Sequence, residues 1–395
     1  MQNYVYYKEA LMQIPKPCAF LDTAIFEQNI RQIAAGSNGK KIRVASKSIR
    51  SVSVLKDIFK ASPIFQGIMC FTADEAIYLS SQGLDDLLVA YPVWNEFHLN
   101  EVLKRVNENK QITLMIDSIA HLKRLESIAQ NAGGSFPVCI DIDLSSDFFG
   151  LHFGVYRSPI TTVEQTLNLA DYITDSDFLH LDGIMGYEAQ IAGVPDNNPD
   201  QKLKSRLIRY LKKRSSKELI QKRNDIIDQL KARGIPLRFV NGGGTGSLHQ
   251  TSQEQHITEV TVGSGFFNPH QFDNYKDFQL QPAAGFAIEI TRIPKSNIYT
   301  CHGGGYVASG PPGKDKQPQV YLPKGATLFA NEGTGEVQTP IHYKGNTELT
   351  YGDPIIVRHS KAGELCERFQ KLHLIDNGKV VDIYSTYRGD GQCFL

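Results

Sequence analysis

Leu237-Arg238-Phe239-Val240 runs directly into Asn241-Gly242-Gly243-Gly244-Thr245-Gly246-Ser247. A buried strand that ends in consecutive glycines presents backbone N–H groups with no Cβ in the way, which is how a chain cradles a phosphate. Taken alone, the loop is equally a tight turn needing positive φ. Its meaning depends on what lies upstream.

Working outward from it, short runs rich in Val, Ile, Leu and Phe recur at Ile42 to Ser46, Gly67 to Phe71, Asp86 to Tyr91, Thr113 to Asp117, Pro137 to Leu144, Leu181 to Tyr187, Leu237 to Asn241 and Glu259 to Gly263. Segments with helical periodicity separate them, such as Ser51 to Lys60, Ala73 to Gln82, Trp94 to Asn109 and Ile119 to Ala132. Alternating strands and helices imply right-handed βαβ units and a parallel sheet. Eight such strands suit an α/β fold of the (β/α)8 TIM-type barrel class, with an open doubly wound sheet as the alternative. After residue 275 the helices give way to short strands and Gly/Pro turns, including an Asn377-Gly378 hairpin signal between apolar runs. The expected organisation is a barrel over 18–275 and a C-terminal β-rich domain made of 276–395 together with 1–17. The basic stretch Asp200 to Arg233 reads as an inserted helix with a solvated face, or else a docking surface.

Composition narrows the function. The chain has 395 residues, with 42 Lys+Arg against 42 Asp+Glu, which favours neither nucleic acid nor an anionic membrane as partner. No apolar run of about 18 residues suggests a membrane span, and Met1 to Glu9 does not read as a signal peptide. The six cysteines are scattered without a CxxC pair, which suits a reduced, cytoplasmic protein.

In this barrel class the active site lies at the C-terminal ends of the strands. Lys47 directly follows the first strand, where burial would lower its pKa and free the amine as nucleophile or base. A surface lysine at a strand end is the bland alternative. The triple glycine follows the seventh strand and Val262-Gly263-Ser264-Gly265 the eighth, the recurrent phosphate position of the fold. Lysine after strand one and phosphate loops after strands seven and eight are neighbours on a closed barrel. That arrangement suits pyridoxal phosphate.

Pro17 to Asp22, Arg43 to Ser48 around Lys47, Gly183 to Glu188, Asn241 to Gly246 and the Gly263–Gly265 loop occur in the order found in fold-type III, alanine-racemase-like pyridoxal-phosphate enzymes. The chain most resembles their D-threonine aldolase / D-serine dehydratase branch. The resemblance implies an internal aldimine at Lys47 and cofactor contacts from Asn241, Gly243, Gly244, Thr245, Ser264 and Gly265. It places Tyr187 near the pyridine ring, with a packed barrel aromatic as the alternative. His152, in the Asp141 to Gly154 segment, either stacks on the cofactor ring or satisfies a local hydrogen bond. In the glycine-rich segment Cys301 to Gly310, His302 and Tyr306 are candidates for an acid or base opposite Lys47, in the same or a partner subunit, or else belong to a turn-rich connector. A head-to-tail homodimer is implied.

Two departures from that branch stand out. Its members carry His-x-Cys or His-x-Asp as ligands to a divalent metal, where this chain has His359-Ser360-Lys361. Either the Lys361 ammonium takes the cation's place, or His359 and Cys366, with Glu364 near, complete a metal site. The tyrosine motif, followed by Gly-His in the branch, reads Tyr187-Glu188-Ala189-Gln190 here. The resulting expectation is a pyridoxal-phosphate-dependent lyase, aldolase or dehydratase, acting on a D-3-hydroxy amino acid, with His359 also a catalytic candidate. An amino-acid racemase is the alternative within the fold. A non-catalytic pyridoxal-phosphate-binding protein and a sugar-phosphate barrel enzyme are the alternatives outside it.

Overall fold

A computed structural model describes residues 3–148, 150–307, 313–361 and 363–395. The barrel strands are β2 (Lys41–Ala45), β3 (Phe65–Cys70), β4 (Leu87–Val89), β5 (Ile112–Ile116), β6 (Phe136–Asp141), β9 (Leu179–Gly186), β10 (Phe239–Gly242) and β11 (Glu259–Val262). All pair in parallel, and β11 closes on β2 with Val262 opposite Val44. Closure rules out the open doubly wound alternative. Each strand overlaps one of the eight apolar runs.

Local chemistry accounts for the helices between them. Thr72 caps the helix Ala73–Ser81, its hydroxyl accepting from Glu75 N–H, and Asp74 and Glu75 lie in the first turn where the helix dipole favours them. Thr162 and Gln165 form a reciprocal capping box on Val163–Thr174. Leu88, Met115, Cys139, Met185 and Phe239 fill the barrel interior as a packed layer, with Met69 against them.

The second unit is a sheet of β12 (Ala284–Lys295), β13 (Ile298–His302), β14 (Gln319–Leu322), β15 (Ala326–Leu328), β16 (Gln338–Tyr343), β17 (Pro354–Arg358), β18 (Lys371–Asp376) and β19 (Lys379–Ser385), joined by β1 (Cys18–Asp22). β1 had been expected on the barrel side of a boundary at residue 18. It instead lies between β12 and β18, antiparallel to one and parallel to the other. Its all-apolar Cys18-Ala-Phe-Leu21 is buried on both faces, which an internal sheet position requires. The helix Tyr4–Leu11 docks on this unit through Tyr4 Oη to the Pro354 carbonyl (3.0 Å) and Lys8 to Asp353 (2.6 Å). Asn377 and Gly378 both take positive φ, as a two-residue hairpin turn demands. A small hairpin of β7 (Ser146–Phe148) and β8 (Leu151–Phe153) covers one side of the barrel mouth.

Beneath the segment that carries Lys47 lies a buried carboxyl, Glu75, which accepts from Phe71 N–H (2.8 Å) and Tyr387 Oη (2.9 Å). Burial pushes it up to about 7 despite these bonds. Between its ordinary 4.5 and about 7 the folded chain holds a proton there that the unfolded chain has lost, so native stability falls as pH rises through that window. In thermal unfolding at a series of pH values, Glu75→Gln should gain stability relative to wild type across the window. A pH-independent difference would show that Glu75 does not titrate in this way.

Candidate active site

A cavity of about 490 Å³ opens at the C-terminal end of the barrel, with Lys47, Tyr187, Thr245, Ser264 and Lys361 in its wall. Lys47 sits in the turn Ser46–Ser48 that follows β2. Its carbonyl accepts from Arg50 Nε (2.9 Å), and Arg50 is tied to Glu367 (2.6 Å), so the backbone is held while the side chain stays exposed to the cavity. The expectation of a buried amine is thereby corrected: an open mouth leaves Lys47 in solvent.

The glycine loop is already rigid. Glu188, 1% exposed, accepts from Gly243 N–H (3.1 Å), Ser247 Oγ (2.8 Å), Thr251 Oγ1 and Arg223 Nη2 (3.0 Å). Gly243 takes φ +82°, and a Cβ on Gly244 would sit 2.8 Å from that of Ala192. Three N–H groups expected to face a phosphate are spent inside this scaffold: Gly243 on Glu188, Gly244 on Ser247 Oγ (3.0 Å) and Gly265 on Thr245 Oγ1 (3.1 Å). Those glycines shape the loop rather than supply donors. Thr245 Oγ1, accepting from Gly265, keeps its own proton for a ligand, and Ser264 Oγ and Ser48 Oγ stand 3.1 Å apart beside it. These hydroxyls fit a phosphate. Asn241 lines the cavity, but its amide bonds to Glu259 (2.8 Å) and Thr261 (2.9 Å), so its role is structural.

Tyr187 lies between Arg157, whose guanidinium is 6.0 Å from its ring, and the glycine loop. Burial, with Glu188 adding, pushes its phenol up to about 12, so it stays neutral. His152 stacks on Tyr156 (ring centroids 4.3 Å apart) and shares Nδ1 with Asp147 (3.0 Å). Its buried Nε2 has no partner among the described residues. Sequence reasoning missed Arg157, which reaches Asp141 (2.7 Å) and the Ala90 carbonyl (2.8 Å) from the loop after the hairpin. It missed Arg223 as well. The helix Lys202–Ala232, expected as a solvated insertion, turns Arg223 inward to Glu188, Glu254 and the Gly186 carbonyl. A buried arginine in a basic run carries no signal of its own in one sequence.

His302 is exposed at the end of β13, and Tyr306 packs between Phe286 and Arg368. Neither reaches the cavity of its own chain, so neither opposes Lys47 there. Ala308, Ser309 and Gly310 of that segment, and Phe149 of the Asp141 to Gly154 segment, lie outside the described residues. His359 is fully buried and absent from the cavity wall, which corrects its reading as a catalytic residue. Burial pushes the Cys366 thiol up to about 12. No group of three His, Cys, Asp or Glu side chains among the described residues could hold a metal ion. Among the described residues, then, no donor set fits a divalent cation.

Over residues 21–270 the sequence matches the family described as alanine racemase, N-terminal domain. The chain belongs to this family. A curated relative, 3-hydroxy-D-aspartate aldolase of Paracoccus denitrificans (strain Pd 1222), is 25% identical over 67% of this chain and 63% of its own length. The aligned part thus spans under two thirds of that relative. The crystal structure of D-threonine aldolase from Filomicrobium marinum superposes with a TM-score of 0.81 over 98% of this chain and 99% of its own, at 17% identity. D-threo-3-hydroxyaspartate dehydratase from Delftia sp. HT23 gives 0.76 over 98% and 99%, at 18% identity. At such identities the likeness is one of fold, and it covers the barrel and the sheet together.

Glu188→Ala would leave Arg223 buried with Glu254 as its remaining carboxylate partner and three loop donors unpaired. The expected loss of stability is about 3–5 kcal/mol, read from the unfolding midpoint, as for breaking a buried pair. A loss below about 1 kcal/mol, the scale of an exposed pair, would mean that water replaces Glu188 and that the loop is not held by it.

Proposed function

We propose that this chain is a pyridoxal-phosphate-dependent lyase, an aldolase or dehydratase, acting on a D-3-hydroxy amino acid. The observation that carries the reading is the meeting, in one cavity, of a free amine at Lys47 with the hydroxyl cluster of Thr245, Ser264 and Ser48 on a prestiffened glycine loop. The hydroxyls would hold the phosphate and Lys47 Nζ would bond the aldehyde carbon. Bound there, pyridoxal phosphate supplies an electron sink for negative charge on the carbon beside the substrate's amine. The named relatives, two aldolases and a dehydratase of D-configured hydroxy amino acids, support the choice of substrate.

The protein's own groups then have distinct tasks. Lys47 Nζ would also be available to take a proton from the substrate's α-carbon or 3-hydroxyl. His152 Nε2, buried and unpartnered, is a second group able to do so. Tyr187, held neutral, gives the cofactor ring an uncharged neighbour. The hairpin of β7 and β8 lines one side of the cavity through His152 and Phe153. Two proton-handling groups on one cavity also favour a second reading, an amino-acid racemase. Exchange of the α-hydrogen with inversion and no carbonyl product would select it.

The reading extends to a homodimer in which the Cys301–Tyr306 segment of one subunit serves the cavity of the other, and to the cytoplasm. All six cysteines are free thiols, five of them buried, in keeping with a reducing compartment. No helix among the described residues is long and apolar enough to cross a membrane.

The decisive test is the visible absorbance of the purified protein. Wild type should carry the band of a lysine-bound cofactor, borohydride should fix it covalently, and Lys47→Ala should lose both band and turnover. A variant that keeps both sinks the proposal. No band in wild type, even with added pyridoxal phosphate, returns the sugar-phosphate reading to first place.

A further inference from the structure

Arg50, just after the turn that carries Lys47, takes φ +50°. A bulky side chain adopts that left-handed backbone only where its surroundings impose it, and such residues gather at functional sites. Here the surroundings are on view. Arg50 Nε donates to the Lys47 carbonyl (2.9 Å), Nη1 meets Glu367 (2.6 Å), and the guanidinium lies 5.2 Å from the centre of the Phe71 ring. Gly363 packs so closely on the turn that a Cβ there would lie 2.2 Å from the Lys47 carbonyl oxygen. A further contact grips the Arg50 backbone itself: its carbonyl accepts from Tyr387 N–H (2.8 Å).

Tyr387 is buried and held at both ends. While its N–H is on Arg50, its Oη donates to Glu75 (2.9 Å), and Glu75 accepts from Phe71 N–H (2.8 Å) just past β3. The neighbouring residues anchor it. Thr386 Oγ1 donates to the Phe369 carbonyl (2.6 Å), Thr386 N–H to the Gln370 carbonyl (3.0 Å), and Ser51 Oγ to the Ser385 carbonyl (2.7 Å). Phe394 folds back over the rings of Tyr387 and Tyr78, and Tyr78 Oη donates to Asp390 (2.8 Å). Residues 385–394 thus form a clasp that joins the chain after β2, at Arg50 and Ser51, to the chain after β3, at Glu75 and Tyr78. Tyr387 is absent from the cavity wall, so any influence on the site passes through Arg50 and the Lys47 turn.

The proposed function gives that grip a use. Lys47 Nζ stands at the tip of a flexible stem, whereas the hydroxyls of Thr245, Ser264 and Ser48 would fix the phosphate and with it the aldehyde carbon. Amine and aldehyde meet readily only where the backbone of the turn keeps its place relative to those hydroxyls. We infer that Tyr387 is a positioning residue for the Lys47 amine: by holding the left-handed Arg50 and Glu75 together, it sets where the turn, and so Nζ, stands. The inference rests on the proposed function.

The test compares two ligands of the full chain freed of bound cofactor. Pyridoxal phosphate can bond an amine. Pyridoxine phosphate has the same ring and phosphate with an alcohol in place of the aldehyde. Wild type should bind pyridoxal phosphate more tightly, and Lys47→Ala should abolish the preference. Tyr387→Phe removes one oxygen and keeps the ring and the N–H. It should weaken pyridoxal phosphate about two- to tenfold, the scale of one neutral hydrogen bond, and leave pyridoxine phosphate unchanged. Arg50→Gln should weaken pyridoxal phosphate about ten- to a hundredfold, again selectively. Should Arg50→Gln fail to fold, Tyr387→Phe decides alone. Equal weakening of both ligands would assign Tyr387 to the stability of the whole site and overturn the inference. So would an unchanged preference in Tyr387→Phe. A wild type with no more preference than Lys47→Ala sinks the proposed function, and this inference with it.

Discussion

The buried contact between Glu188 and Arg223 organises the working end of this molecule. Glu188 leaves the barrel two residues after β9, and Arg223 comes from the long helix outside it. One carboxylate thereby gathers the glycine loop, the last residue of the short helix after it, Thr251, and a 31-residue helix whose polar face would otherwise be free. A buried ion pair contributes little net stability on average, because desolvation offsets attraction. Its value lies in geometry. The loop reaches its ligand-ready shape before any ligand arrives, so binding need not order it.

The two ends of the barrel use charge in opposite ways. Within the barrel, Arg43 is fully buried and meets Glu259 at 2.6 Å and Asp86 at 3.1 Å, while Arg238 bridges Asp86 at 2.9 Å to Asp182. Every charge there has an opposite neighbour, and the result is a closed polar floor under the packed Phe239 layer. At the mouth Arg157 is paired with Asp141 at 2.7 Å, while the Lys47 side chain stays exposed to the cavity. A mouth that keeps an exposed amine over a satisfied floor offers its charge to an anionic ligand.

Much of this was legible in the sequence. The eight apolar runs and the Asn377-Gly378 turn followed from side-chain period and turn chemistry, which are local. The position of Lys47 and of the glycine loop at one rim followed from strand order alone. What escaped were long-range pairings. Nothing local marks Cys18-Ala-Phe-Leu-Asp22 as a sheet strand between partners some 270 and 350 residues away in the chain. Arg157 and Arg223 look like any other arginine until the fold brings Asp141 and Glu188 to them. Gly243 and Gly265 were read as donors because a single sequence cannot show that Glu188 and Thr245 already hold their N–H groups.

The exposure of Lys47 completes the electrostatic logic. In the proposed function the Lys47 amine has to be reachable from the cavity, so its backbone is the part that is fixed, by Arg50 and by the close approach of Gly363. A second amine, Lys361, lies in the same wall, and burial first, then the Lys316 and Lys47 amines, hold its ammonium below the usual range. A dianionic phosphate and a carboxylate substrate relieve that repulsion. Charge at this mouth therefore acts as a filter: neutral or cationic small molecules gain nothing from entering, whereas each anionic group that enters lowers the free energy of residues already in place.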